Sequence, residues 1–129
     1  MNPSMKILVV DTFANMRRII KGVLRQLGYK RVIEAEDGIA ALQELKKENI
    51  DLIMADWNIP KMTGLGFLKA VRSDRNLKNI PFIMITAEGE KKNVIEVVRA
   101  GISNIFIKPF APEILKEKIE NVLAEKADS

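Results

Sequence analysis

Four residues of this chain close four short apolar runs: Asp11 follows Ile7-Leu8-Val9-Val10, Asp56 follows Leu52-Ile53-Met54-Ala55, Thr86 follows Phe82-Ile83-Met84-Ile85, and Lys108 follows Ile105-Phe106-Ile107. If these runs are parallel strands, all four groups reach the one sheet edge where such architectures bind ligands. Each alone has a plainer use: Asp11 or Asp56 as a helix cap, Thr86 as the cap of the turn Ala87-Glu88-Gly89, Lys108 as a solvated cation. Together they are complementary. Two adjacent carboxylates repel unless a cation separates them, so the set calls for Mg²⁺ or for the Lys108 ammonium. The chemistry that uses all four is phosphoryl transfer: a carboxylate attacks phosphorus to form an acyl phosphate, a metal and a lysine offset charge on the transferring oxygens, and a Thr hydroxyl donates to one of them. No imidazole base is required, and the 129 residues include no His and no Cys. That absence excludes Ser-His-Asp triads, thiol nucleophiles, zinc fingers and disulfide frameworks.

A chain that is 47% apolar and 29% charged supports one well-buried domain, expected over residues 5–126 with a frayed tail at 1–4. The apolar runs, with Arg31-Ala35 as a fifth strand, alternate with segments of helical period, as in βαβ units. Met16, Ile19, Ile20, Val23, Leu24 and Leu27 recur at helical spacing, and Gly28 stands where that helix would end in the left-handed region. Further helices are predicted at 39–47, 65–72, 91–100 (stopped by Gly101) and from Pro112 to about residue 125. Three strands are apolar on both faces, as central parallel strands must be; Arg31-Val32-Ile33-Glu34-Ala35 mixes in charge and reads as an edge. Right-handed crossovers then give an α/β fold: a doubly wound five-stranded parallel sheet of order 2-1-3-4-5 with five helices, flavodoxin-like, its crevice beyond the carboxyl ends of strands one and three.

No apolar run is long enough to span a bilayer and the first residues lack a signal-peptide layout, so the expected location is cytoplasmic. The net charge of +4 does not indicate nucleic-acid binding, because most basic residues are interspersed with acids. The exception is Arg17, Arg18, Lys21, Arg25, Lys30 and Arg31, with no Asp or Glu between Asp11 and Glu34.

Val9-Val10-Asp11, Asp56-Trp57-Asn58-Ile59-Pro60 with Gly64, Ile85-Thr86-Ala87-Glu88 and Lys108-Pro109-Phe110 together resemble the receiver domains of two-component response regulators, in their single-domain chemotaxis (CheY-like) form, from about Met5 to Ala124. Such receivers have the 2-1-3-4-5 strand order. The resemblance implies a stand-alone response regulator that takes a phosphoryl group on Asp56 from a histidine kinase, a phosphotransfer protein or a small acyl phosphate. It implies that Asp11, Asp56 and the backbone carbonyl of Asn58 hold Mg²⁺, and that Thr86, Ala87 and Lys108 bind the phosphoryl oxygens. It further implies that Thr86 moves on activation, and that a downstream protein reads the face formed by the fourth helix, fifth strand and fifth helix. The protein would be no turnover enzyme, only a phosphoacceptor that promotes its own transfer and slow dephosphorylation, and a monomer with no nucleic-acid or membrane partner.

The sequence departs from the family pattern in four places. Receivers usually carry a second acid where this chain has Thr12, which leaves a weak or lost metal ligand; helix capping is the simpler role for a Thr there. The aromatic switch residue of the chemotaxis type is Ile105, and Phe106 cannot replace it because successive strand residues face opposite sides. Thr63, where many receivers have Asp, reads as a cap for the third helix. Gly66 lowers helix propensity just beyond it. The basic stretch finds a use as a kinase-docking face of Arg17, Arg18, Lys21 and Arg25. Alternatives are a degenerate receiver acting as a phosphorylation-independent adaptor, a metal-dependent phosphatase, disfavoured because Asn58 is no acid and there is no room for a cap region, and a flavodoxin-like flavin binder, disfavoured by the acidic loop Asp11-Thr12-Phe13-Ala14-Asn15.

Overall fold

The computed structural model describes residues 4–87, 98–108 and 111–128. The strands are β1 (Lys6–Val10), β2 (Arg31–Ala35), β3 (Leu52–Asp56), β4 (Phe82–Ala87) and β5 (Asn104–Lys108); the helices are α1 (Ala14–Gln26), α2 (Gly38–Lys47), α3 (Gly64–Ser73) and α4 (Pro112–Asp128). All strand pairs are parallel, in the order β2-β1-β3-β4-β5. The helix expected at 91–100 lies outside the described residues as far as 97. Val98 and Arg99 are helical, and Gly101, at φ 95°, closes the turn after them.

Side-chain alternation along the strands divides the core into two layers. Ile7, Val9, Leu52, Met54, Ile83 and Ile85 pack with Ile20, Val23 and Leu24 of α1 and with Leu115, Ile119 and Val122 of α4. Leu8, Val10, Ile53, Ala55, Phe82 and Met84 pack on the other face with Ala41 and Leu45 of α2 and Phe67, Leu68 and Val71 of α3. Each buried Leu, Ile or Phe contributes about 1.5–3 kcal/mol of transfer free energy, so both apolar faces of the central strands are needed. Phe67 and Phe82 meet tilted at 56°, ring centroids 5.4 Å apart, which fastens α3 to β4. β2 is the half-exposed edge.

Helix ends follow local chemistry. Gly28, at φ 98°, stands past the end of α1 in the left-handed region. Thr63 caps α3, accepting from the Gly66 amide at 3.0 Å, and a Cβ on Gly66 would sit 3.2 Å from that hydroxyl. The small residue therefore makes room for the cap. Arg72 staples the far end of α3: its guanidinium donates to the carbonyls of Gly101 at 2.8 Å, Lys78 at 3.0 Å and Ile80 at 2.6 Å. Burial lowers its pKa from the usual guanidinium value.

Asp37 caps α2, accepting from the Ala40 amide at 2.8 Å, and pairs with Lys61 at 3.4 Å. The Ala40 N–H, with the Lys61 ammonium adding to it, holds the Asp37 carboxyl below its ordinary value; Lys6 does the same for Glu48. A carboxyl depressed in the folded state stabilises above its unfolded pKa, and that contribution is lost as pH falls through the folded value. The urea midpoint should therefore drop between pH 5 and pH 3, and Asp37→Asn, which keeps a capping oxygen without the titration, should drop less. An equal drop in both proteins would contradict this.

Candidate functional site

The site lies at the carboxyl ends of β1 and β3, central neighbours in register as Val10 with Ala55. Three strands run further than the apolar runs suggest: Asp56 and Lys108 are last residues of their strands and Thr86 is next to last. The parallel ladder continues through these polar positions, as Asp56 opposite Ile85 and the Trp57 amide donating to the Ile85 carbonyl at 2.8 Å show. Pairing therefore delivers the polar groups to the edge from fixed backbone.

Asp11 is wholly buried and Asp56 is only 6% exposed. The Asp11 carboxylate accepts from the Phe13 amide at 2.9 Å, which turns the chain into α1. The Asn58 amide approaches the Asp56 carboxylate at 3.4 Å. Gly64 lets α3 close against this loop: its amide donates to the Trp57 carbonyl at 2.9 Å, and a Cβ would lie 2.8 Å from the Asp56 carbonyl and from Trp57 Cα.

Thr12 does not cap α1. The N-cap is Phe13, whose side chain makes no cap bond, because the turn set by Asp11 starts the helix one residue later. The Thr12 hydroxyl instead donates to the Asn58 carbonyl at 3.5 Å, the outer limit of a hydrogen bond. Thr86 and Ala87 sit in register with Ile107 and Lys108 on β4 and β5, at the same edge. The side chains of Thr86, Ala87 and Lys108 lie outside the described part of the structure, as do Pro109 and Phe110. Ile105 is half-buried against the α2–α3 layer, and Lys118 of α4 donates to its carbonyl at 2.7 Å.

Asp11, Asp56 and the Asn58 carbonyl are oxygen donors of the kind that could hold a hard cation such as Mg²⁺, which keeps several waters. Among the described residues no group of three or more acidic side chains gathers to hold a metal. The basic stretch is less single-signed than it reads. Arg17 bonds Glu34 at 3.1 Å and Lys21 lies 3.6 Å from the same carboxylate, because β1 and β2 pair Val9 with Glu34. Arg18 and Arg25 remain exposed. Arg17's role, and the Lys118 bond, had no signal in spacing or composition; both depend on strand pairing or packing across the fold.

A family model described as the response regulator receiver domain matches residues 7–120. The chain belongs to the response regulator receiver family. This receiver is 49% identical over 118 residues to the chemotaxis protein CheY of Pseudomonas aeruginosa, covering 92% of this chain and 95% of that one. It superposes on the chemotaxis response regulator CheY4 of Vibrio cholerae with a TM-score of 0.85 at 35% identity, over 92% of this chain and 98% of the other. The receiver domain of the sensor histidine kinase PA1611 of Pseudomonas aeruginosa, described with a magnesium ion in its active-site cleft, gives 0.84 at 26% identity, over 94% and 98% of the two chains. This receiver is thus a CheY-like response regulator of two-component, chemotaxis-type signalling. Among the described residues no helix is long and apolar enough to cross a membrane.

Proposed function

We propose that this receiver accepts a phosphoryl group on Asp56, from a phosphohistidine of a partner kinase or phosphotransfer protein or from a small acyl phosphate, and signals by changing its protein contacts. The observation that carries the reading is the burial of two carboxylates, Asp11 and Asp56, on neighbouring central strands at the edge that Thr86 and Lys108 also reach. Mg²⁺ would be held by Asp11, Asp56 and the Asn58 carbonyl, and when bound it offsets charge on the transferring oxygens. Asp56 attacks the phosphorus, the bond to the donor breaks, and the donor leaves. Thr86, the Ala87 amide and Lys108 receive the new oxygens, and Thr86 and Ile105 carry the change toward the face of β5 and α4 where a downstream protein docks. The chain turns over no separate substrate; water slowly hydrolyses the acyl phosphate. It acts as a monomer in the cytoplasm, where its kinase partner presents the phosphohistidine.

Incubation with acetyl phosphate and Mg²⁺ should add one phosphoryl group to the wild-type chain by intact mass and none to Asp56→Asn. Labelling of both, or of neither, would refute the assignment. The docking face for the phosphodonor is the groove of about 330 Å³ lined by Arg18, Lys21, Gly22 and Arg25 beside Glu34. Arg18→Glu with Arg25→Glu should slow transfer from the kinase about tenfold, a loss of ~1.4 kcal/mol of steering and contact, and leave acetyl phosphate labelling unchanged. Equal loss with both donors would contradict the docking role of these residues.

A further inference from the structure

The basic stretch on α1 divides into two parts with different work, and the division falls between adjacent residues. Arg18 points to solvent with a 3.3 Å bond to Asn15. Arg17 does not. Its Nη1 donates to the Asp11 carbonyl at 2.7 Å and to the Thr12 carbonyl at 3.3 Å, and its Nε donates to Glu34 on β2 at 3.1 Å. Lys21 holds the other Glu34 oxygen at 3.6 Å.

Helix physics alone gives no reason for an Arg here. Arg17 is the fourth residue of α1, near the end where the dipole disfavours a cation, in a helix with no acidic residue in its first turn and no side-chain cap. The guanidinium is a rigid planar fork, and Glu34 fixes its orientation from the neighbouring strand. Two successive carbonyls of the loop between β1 and α1 are therefore tied, through one side chain, to β2. Those carbonyls belong to Asp11, whose carboxylate must face the cation, and to Thr12, whose hydroxyl touches the Asn58 carbonyl at 3.5 Å.

We infer that Arg17 is a positioning residue of the cation site: it holds the Asp11 peptide, and so the Asp11 carboxylate, in the geometry that binds Mg²⁺. The inference rests on the reading that Asp11 and Asp56 hold the metal. With a neutral Thr12, two carboxylates must do what three usually do, so the placement of each counts for more. Groups that orient a metal ligand from behind commonly change affinity ten- to a hundredfold when removed.

The sign of the effect separates this role from simpler ones. A guanidinium that was only a nearby positive charge would repel the metal, and its removal would tighten Mg²⁺ binding. A guanidinium that served only to dock the kinase would leave Mg²⁺ binding unchanged. Positioning alone makes removal weaken it.

The test is a Mg²⁺ titration followed by Trp57 fluorescence, without any phosphodonor, on wild type, Arg17→Ala, Arg17→Lys and Asp11→Asn, with urea unfolding as the check on folding. A saturable wild-type response that Asp11→Asn abolishes secures the site. Arg17→Ala should then bind about tenfold more weakly while its urea transition stays cooperative, and Arg17→Lys, which can still donate to the carbonyls but lacks the fork, should fall between. Equal or tighter binding by Arg17→Ala overturns the inference. If that variant does not fold, Arg17→Lys decides, and wild-type affinity in it overturns the inference. No response from the wild-type chain overturns the site reading and this inference with it.

Discussion

Thr12→Asp is expected to tighten Mg²⁺ binding about thirtyfold, measured by titration against Trp57 fluorescence. Thr12 is exposed and offers a neutral hydroxyl beside the Asn58 carbonyl. A carboxylate about 4 Å from a divalent ion is worth roughly 8 kcal/mol gross at an effective dielectric near 20. Desolvation and repulsion from Asp11 and Asp56 cancel most of it, and ~2 kcal/mol surviving gives the thirtyfold. The same repulsion sets the sign without metal: three carboxylates in place of two should lower the urea midpoint of Thr12→Asp in chelator. Adding Mg²⁺ should reverse the order, because the folded state alone binds the ion. Unchanged affinity would mean that position 12 does not face the cation.

Gly64→Ala should cost ~3 kcal/mol and roughly 10 °C in melting temperature. The added Cβ would meet the Asp56 carbonyl at 2.8 Å, Trp57 Cα at 2.8 Å and the Trp57 carbonyl at 2.9 Å. All three are backbone, so relief requires moving either α3 or the strand end that carries Asp56. The variant should therefore also weaken the Mg²⁺ response. Gly22, in the exposed middle of α1, has nothing within 4 Å of the same added atom. There the substitution should stabilise by about 0.5–1 kcal/mol through helix propensity alone. Two Gly→Ala changes of opposite sign in differential scanning calorimetry would confirm that contact, not residue type, decides. A wild-type melting temperature for Gly64→Ala would contradict the close approach.

The fold was legible because its order is written in burial. Strands apolar on both faces had to be central, and charge in Arg31-Val32-Ile33-Glu34-Ala35 marked an edge, which is how β2 lies. Caps were legible where the capping residue directly precedes the helix, as at Thr63. They failed at Thr12, where a hydrogen bond from Phe13 to Asp11 moves the helix start by one residue. Strand ends were placed too early because polar residues such as Asp56 continue the ladder. The site's candidates were legible as types at the ends of runs, and the backbone brings Asp11, Asp56, Thr86 and Lys108 to one edge. What was not legible is what holds them. Glu34 meets Arg17 across a separation of 17 residues because β1 and β2 pair in one register, and nothing in local spacing fixes a register.

Residue-resolved trapping of the acyl phosphate tests phosphorylation of Asp56 directly. The chain is treated with acetyl phosphate and Mg²⁺, reduced with borohydride, which converts an aspartyl phosphate to homoserine, and mapped by peptide mass spectrometry. Phosphorylation of Asp56 requires homoserine at position 56, absent when chelator replaces Mg²⁺ and absent in Asp56→Asn. Homoserine at another aspartate, or none with either acetyl phosphate or a phosphorylated kinase, would contradict it.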